Sequence, residues 1–199
     1  MPEWTQFALA ITSGYLLGSI PFGLVLTQAA GIDLRAVGSG NIGATNVLRT
    51  GRKDLALATV LLDSFKAGLA ALIFTILFSR NVGLIAGAAA FFGHCFPVWL
   101  KFNGGKGVAT YTGLLIFASW KALVIGLPIW LGVFALSRVS SLAALTAAVA
   151  VPIGAALLGE THFAVYVLVG LSAMVFFTHR GNLSRLLNGT EPKFGAKKT

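Results

Sequence analysis

The run LALATVLLDSFKAGLAALIFTILF, residues 55–78, is long enough and apolar enough to cross a lipid bilayer as one helix. A membrane-spanning helix needs about 20 mainly apolar residues. Two charged residues in the run, Asp63 and Lys66, are three positions apart, so they share a helical face and can form an ion pair. Charged groups at membrane depth usually face the protein interior. The pair is therefore either a buried structural ion pair or part of a hydrated, basic cleft.

The composition of the whole chain supports a membrane protein. Of its 199 residues, 56% are hydrophobic and only 11% are charged, against roughly 25% charged in soluble domains. The net charge of +9 fits the excess of Lys and Arg in cytoplasmic loops, so we expect no nucleic-acid partner. We predict an all-α integral membrane protein whose single transmembrane domain covers residues 1–199, with a short cytoplasmic tail from about residue 180.

Apolar runs predict about seven transmembrane helices, some of them short or kinked. The predicted spans are residues 4–30, 55–78, 82–100, 108–136 (as a hairpin of two helices), 142–158 and 163–177. Pro21 should kink the first span. The hairpin is expected to turn near residues 119–121, because residues 108–136 are too long for one span.

The distribution of positive charge predicts the orientation. With the hairpin, one side of the membrane carries most of the Lys and Arg residues and the other receives only Arg80 and Lys121. The positive-inside rule then places the N-terminus outside and the C-terminus in the cytoplasm. Three polar segments, residues 38–53, 101–107 and 179–194, are predicted to lie on the cytoplasmic face.

The first polar segment contains the motif GSGNIGATNVLR, residues 38–49. Glycines let backbone N–H groups approach a ligand closely, and an arginine adds a planar, permanently charged group suited to phosphate. The segment predicts a site for an anionic ligand at the membrane surface, with a flexible loop between two helices as the alternative. The candidate binding residues are Ser39, Gly40, Asn41, Thr45, Asn46 and Arg49.

The second polar segment reads KFNGGKG, residues 101–107. Gly104, Gly105 and Gly107 can turn their N–H groups into an anion-binding nest, and Lys106 adds a point charge. The GxxxxGK[ST] spacing of a nucleotide-binding loop is absent. The alternative is a turn between two helices with a lysine that extends to the lipid headgroups.

The third polar segment reads HRGNLSRLLNGTEPKF, residues 179–194. If the preceding helix continues, His179 and Asn182 share one face and can reach one ligand. The alternative is a basic helix end that binds lipid headgroups. We interpret His94 and Cys95 as packing or supporting groups, and no metal-ligand spacing appears in the chain.

Together these motifs resemble one family, the bacterial membrane glycerol-3-phosphate acyltransferases that use acyl phosphate as the acyl donor. The matching segments are GSGNIGATNVLR, GHCFPVWLKFNGGKGVAT and HRGNLSRLLNGTEPKF, with LLGSIPFG and LLDSFKAG in the first two spans. The resemblance runs from about residue 15 to residue 194. One departure is Gly181, where relatives often have an acidic residue.

The resemblance implies a reaction between acyl phosphate and sn-glycerol 3-phosphate that gives lysophosphatidic acid and inorganic phosphate, without acyl-CoA, acyl carrier protein, metal or cofactor. It implies a multi-pass protein of the bacterial inner membrane, in contact with lipid, with its active site facing the cytoplasm and no obligate protein partner.

The resemblance also implies roles for individual residues. The catalytic set would be Ser39, Lys106, His179 and Asn182. Ser39, Asn41 and Arg49 would bind the two headgroups. Gly104, Gly105 and Gly107 with Lys106 would hold acyl phosphate, to which Lys66 could also contribute. His179 and Asn182 would orient glycerol phosphate, and the proton of the attacking hydroxyl would go to His179 or, as we favour, to a substrate phosphate.

Two other functions would use some of the same residues. A transporter of phosphate or glycerol phosphate would use the same basic groups, but it predicts inverted repeats and polar groups toward both faces, and the sequence shows neither. A lipid-binding scaffold would depend on the basic C-terminal tail alone.

Overall fold

The computed structural model describes residues 1–195, and every regular element in that range is helical. The helices are α1 (Glu3–Gly18), α2 (Phe22–Ala29), α3 (Ala44–Leu48), α4 (Lys53–Leu77), α5 (Arg80–Cys95), α6 (Val108–Ala118), α7 (Trp120–Ser137), α8 (Ser140–Leu157), α9 (His162–Thr178) and α10 (Arg180–Leu187). Short 3-10 turns occupy Leu34–Ala36 and Val98–Leu100. The predicted all-α fold is confirmed for the described residues.

The lengths of the helices agree in part with the predicted spans. Within residues 1–195, five helical stretches are long and apolar enough to cross a membrane, or six if the bent pair α9–α10 counts as one. Helix α6 has only 11 residues, about 16 Å at 1.5 Å per residue, whereas the hydrocarbon core is about 30 Å thick. The count of seven and the orientation of the termini stay predictions.

Two predicted interruptions are confirmed. The first span breaks between α1 and α2 at Pro21, which has no N–H and cannot continue the hydrogen-bonding of a helix. The long apolar run from residue 108 breaks at Ser119, between α6 and α7.

The chain divides into two compact units, residues 1–118 and residues 119–199, the second described as far as residue 195. In the first unit, α5 packs against both α1 and α4, and α6 packs against α4. Two glycines one helical turn apart, Gly14 and Gly18, allow the close approach of α1 to α5. A Cβ atom at these positions would overlap the carbonyl oxygens of Ala86 and Ala90. Such small-residue contacts are common between membrane helices.

The second unit consists of α7 to α10, in which α8 packs against α7 and α9. A side-chain hydrogen bond joins Ser119 to Glu160 at 2.8 Å, and the Lys121 ammonium donates to the Leu158 carbonyl at 3.0 Å. The C-terminal segment returns to this unit, where the Phe194 N–H donates to the Arg138 carbonyl at 2.7 Å. The single domain expected from the sequence stays a prediction, because the chain divides into two compact units.

We expect Gly18→Ala to destabilise the protein by roughly 1–3 kcal/mol, because the added methyl group must displace the backbone of α5. The measurement is the midpoint of thermal unfolding in detergent, which should fall by roughly 2–10 °C. The matched control is Gly170→Ala in α9, where no atom lies within 4 Å of the added Cβ. Equal midpoints for the two variants would contradict the proposed contact.

Candidate functional site

An internal hydrogen-bond network shapes the first polar segment. Asn46 is buried, and its Oδ1 atom accepts from the Ser39 N–H at 3.1 Å. Its Nδ2 group donates to the carbonyls of Leu34 at 3.1 Å and Val37 at 2.9 Å. Gly38 has a φ of 54°, and a Cβ there would press on Asn46 and Arg49. The sequence suggested Asn46 as a substrate-binding residue. In the structure its side chain hydrogen-bonds the backbone and holds the loop in its conformation.

The same network determines which side chains of the segment reach its surface. Ile42 and Val47 belong to a buried apolar cluster that holds the segment on its inner side. Ser39 and Arg49 are exposed, whereas Asn41 and Thr45 are partly buried. The Arg49 side chain lies beside Gly38, one residue from Ser39. A hydroxyl and a guanidinium are thus presented by a loop whose backbone is held from within.

Arg35 connects the first two polar segments, a role that the sequence did not reveal. Its guanidinium donates to the carbonyl of Gly40 at 3.3 Å and to the carbonyl of Asn103 at 2.7 Å. The first two polar segments therefore lie side by side. In the sequence Arg35 is only one of several loop cations, and nothing local distinguishes it.

The glycines of the second polar segment serve close packing. The N–H groups of Gly104 and Gly105 donate to the carbonyls of Cys95 and His94, both at 3.0 Å. The nest of consecutive glycine N–H groups expected at these two positions is therefore wrong, because both donors already have backbone acceptors. A Cβ at Gly105 would overlap the His94 ring, and a Cβ at Gly107 would overlap the Phe91 ring. Only glycine lets the segment lie this close to α5.

The end of the second segment lies at the start of a helix. Lys106 and Gly107 directly precede Val108, the first residue of α6. The first N–H groups of a helix have no acceptor within the helix, and the helix dipole favours negative charge at that end. A phosphate placed there would meet these N–H groups and the Lys106 ammonium.

Three ionisable side chains form a buried polar cluster within the first unit, which we call the Asp63–Lys66–His94 cluster. The Lys66 ammonium lies 2.8 Å from Asp63 Oδ1 and 3.0 Å from His94 Nδ1. It also donates to the carbonyl of Ile20 at 2.8 Å. The predicted ion pair is confirmed, but the exposed fractions of Asp63 and Lys66 are 2% and 1%. The pair is therefore buried and does not lie in a hydrated cleft. Lys66 can then act on a substrate only through its neighbours.

The preceding helix does not continue straight into the third segment. Helix α9 ends at Thr178 and α10 begins at Arg180 with a bend of 63°, so His179 lies at the bend. The His179 ring is buried and its Nδ1 donates to the Val175 carbonyl at 2.9 Å. With Nδ1 protonated, the neutral ring has its lone pair on Nε2.

A carboxylate holds Asn182 in place. Glu191 Oε1 accepts from Asn182 Nδ2 at 2.5 Å and from the Ser141 hydroxyl at 2.7 Å, and Oε2 accepts from Arg185 Nε at 2.7 Å. Burial alone would raise the pKa of Glu191, but the hydrogen bonds from Ser141, Asn182 and Arg185 outweigh it and lower the pKa below the usual 4.5. Ser141 is far from this segment in sequence, so no local signal could have identified it.

The described residues contain no group of three or more His, Cys, Asp or Glu side chains that could hold a metal ion. The chemical groups that the site residues offer are cations, helix N–H groups and neutral polar side chains. Such groups are suited to binding and orienting phosphate-bearing molecules.

Comparison with known proteins agrees with this chemistry. The family model for glycerol-3-phosphate acyltransferase matches residues 8–189. A glycerol-3-phosphate acyltransferase from Hyphomonas neptunium is 66% identical, with 100% of this chain and 97% of the relative covered. The Mesorhizobium japonicum enzyme of the same name is 58% identical, covering 95% of this chain and 96% of that protein.

Solved structures show the same fold. The crystal structure of PlsY (YgiH), an integral membrane glycerol 3-phosphate acyltransferase, in its glycerol 3-phosphate form is 37% identical with a TM-score of 0.90. It covers 95% of this chain, and this chain covers 96% of it. The lysophosphatidic acid form has a TM-score of 0.89 at 36% identity, with 95% of both chains covered. Since the family model, the curated relatives and the solved structures agree over nearly the whole length, the chain belongs to the glycerol-3-phosphate acyltransferase family.

Proposed function

We propose that this protein transfers a fatty acyl group from acyl phosphate to the primary hydroxyl of sn-glycerol 3-phosphate. The products are lysophosphatidic acid and inorganic phosphate. The observation that carries the proposal is the fold shared with PlsY, whose two structures are described as a glycerol 3-phosphate form and a lysophosphatidic acid form. These ligands are the acceptor and the product of such a transfer. The choice of acyl phosphate as donor rests on the three motifs.

The two phosphate groups require positive charge and N–H donors. We assign Ser39, Gly40, Asn41, Thr45 and Arg49 to the headgroups, since they lie on the loop that Asn46 holds from within. We assign the phosphate of the donor to Lys106, Gly107 and the start of α6. Gly104 and Gly105 contribute by bringing this segment against α5. His179 and Asn182 orient glycerol phosphate.

The transfer itself demands little covalent chemistry from the protein. The primary hydroxyl oxygen attacks the acyl carbon, the bond from that carbon to the phosphate oxygen breaks, and the hydroxyl proton must leave. We assign that proton to an oxygen of the donor phosphate. The Nδ1 atom of His179 faces a backbone carbonyl, which stabilises an imidazolium less than a carboxylate would. A pH–rate profile that keeps its shape in His179→Asn supports this assignment, and loss of one limb contradicts it.

The cellular setting follows from the charge distribution. We propose an enzyme of the bacterial inner membrane, a single domain of about seven spans, with the N-terminus outside and the active site facing the cytoplasm. It takes the donor's acyl chain from the surrounding lipid and needs no protein partner. A topology reporter fused after Lys121 should report the outer side, and a cytoplasmic signal there would contradict this orientation.

The reaction is tested with purified protein in detergent, palmitoyl phosphate and radiolabelled glycerol 3-phosphate. We expect labelled lysophosphatidic acid with palmitoyl phosphate and none with palmitoyl-CoA. Product no higher than that of a boiled control would reject the proposed reaction, and turnover with palmitoyl-CoA alone would reject the proposed donor.

We expect Arg49→Ala and Lys106→Ala each to lower kcat/KM by roughly 100-fold or more, because each removes a charge that offsets phosphate repulsion in the transition state. The controls are Arg52→Ala and Lys101→Gln, which remove exposed charges from the same two segments. Both controls should retain activity close to that of the parent. Equal losses in the controls and the test variants would show that only the total charge of the surface matters.

We expect Glu191→Gln to lower the stability of the protein at neutral pH by roughly 1–3 kcal/mol, because the amide cannot accept from Asn182, Ser141 and Arg185 as the carboxylate does. Since folding lowers the pKa of Glu191 below 4.5, its contribution is present above that pH and is lost as the pH falls. The measurement is the unfolding midpoint of both proteins between pH 7 and pH 3. The difference between them should shrink as the pH falls below about 4.5, and a constant difference would contradict the role of the charge.

A further inference from the structure

The Lys66 ammonium sets the protonation of His94. An ammonium group has three N–H donors and no acceptor. The Lys66 ammonium forms an ion pair with Asp63 Oδ1 at 2.8 Å, and its hydrogen-bond partners are the Ile20 carbonyl at 2.8 Å and His94 Nδ1 at 3.0 Å. Because an ammonium group cannot accept, His94 Nδ1 is the acceptor in its hydrogen bond with Lys66. A neutral imidazole that accepts at Nδ1 has its proton on Nε2.

The Nε2–H group of His94 faces the glycine segment. A Cβ built on Gly105 would overlap this nitrogen, so Nε2 lies directly against the segment that leads to Lys106. Within residues 1–195 no hydrogen-bond acceptor for Nε2 is found. His94 as a whole is 4% exposed, and Nε2 is not among the fully enclosed side-chain atoms without a partner. Nε2 therefore keeps some accessible surface, so its N–H can reach a ligand that lies beside the segment. A ligand at the segment would supply the acceptor.

We propose that His94 binds the phosphate group of the acyl donor, by donating a hydrogen bond from Nε2–H beside Gly105. Lys66 and Asp63 are positioning residues, because they keep the proton on Nε2 and hold the ring in place. The inference rests on the proposed function, since it takes the anion at residues 104–107 to be acyl phosphate.

The chemistry of a neutral donor suits this position. Lys106 and the start of α6 already provide positive charge, and a further permanent cation at this depth would need its own counter-ion. A neutral imidazole adds a directed hydrogen bond without adding charge. Because its ring is held by Lys66 before the substrate arrives, little ordering is needed on binding.

Two substitutions at His94 separate the donor from the structural role. In His94→Gln the side-chain amide can place an N–H near the position of Nε2, whereas in His94→Asn the amide reaches only the level of Nδ1. We expect the KM for palmitoyl phosphate to be about tenfold higher in His94→Asn than in the parent, and about fivefold higher than in His94→Gln, as loss of one hydrogen bond to a charged group implies. The KM for glycerol 3-phosphate should change by less than about twofold. His162→Asn, an exposed histidine in α9, is the control and should behave as the parent.

The results separate four outcomes. A higher KM for palmitoyl phosphate in His94→Asn than in His94→Gln supports the inference. Equal KM values in the two variants, or an effect on glycerol 3-phosphate alone, overturns it. If Lys106→Ala raises the KM for palmitoyl phosphate and the His94 variants do not, only the inference on His94 fails. If Lys106→Ala also leaves that KM unchanged, the proposed phosphate site itself is wrong.

Inorganic phosphate, the second product, distinguishes a site for the phosphate group from one that needs the acyl chain. If His94 binds the phosphate group, the inhibition constant of inorganic phosphate against palmitoyl phosphate should rise in His94→Asn in parallel with the KM. An unchanged inhibition constant would contradict binding through the phosphate group.

The position of the proton can be measured without turnover. The chain has three histidines, so ¹⁵N-histidine labelling of the full chain in micelles gives three ring systems that single substitutions can assign. We expect His94 to be protonated at Nε2 and unprotonated at Nδ1, and the Nε2 signal to shift when inorganic phosphate is added. A proton on Nδ1, or no response to phosphate, would overturn the proposal even if a kinetic variant failed to fold.

Discussion

The buried ammonium of Lys66 is the interaction on which the first unit depends. A charge that is 1% exposed inside a membrane protein costs several kcal/mol unless it is paired and hydrogen-bonded. Here its three partners belong to different parts of the fold. One of them, the Ile20 carbonyl, lies where Pro21 interrupts the first span and leaves backbone groups without helical partners. The kink, α4 and α5 are therefore held together by one charged group.

Glycine has a steric function in the same unit. Gly14 and Gly18 bring α1 against α5, and Gly105 brings the polar segment against His94. The motif that looks like an anion-binding nest in the sequence is a close-packing device in the structure, with its N–H groups bonded to the end of α5. The residues that follow this packed segment are Lys106 and the start of α6, to which we assign the donor phosphate.

The sequence predicted the features that depend on local spacing. The run at 55–78, the breaks at Pro21 and Ser119 and the Asp63–Lys66 pair all follow from run length, proline chemistry or helical periodicity, and the structure confirms them. The family resemblance, carried by motifs, is confirmed as well.

The features that sequence reasoning missed depend on residues distant in the chain. Arg35 contacts Asn103, 68 positions away, and Ser141 contacts Glu191, 50 positions away, and neither pair has a local signal. The bend at His179 has no local signal, because an apolar run followed by a basic one is equally compatible with a continuous helix end. The role of Asn46 was misjudged because an amide in a loop is equally suited to bind a ligand or the backbone.

The most direct test of the central claim is a structure of the protein with a non-hydrolysable acyl phosphonate in place of acyl phosphate. We predict phosphonate oxygens within about 3.2 Å of His94 Nε2 and of Lys106 Nζ, at the start of α6. A phosphonate bound elsewhere, with none of its oxygens near His94 Nε2, would contradict this prediction.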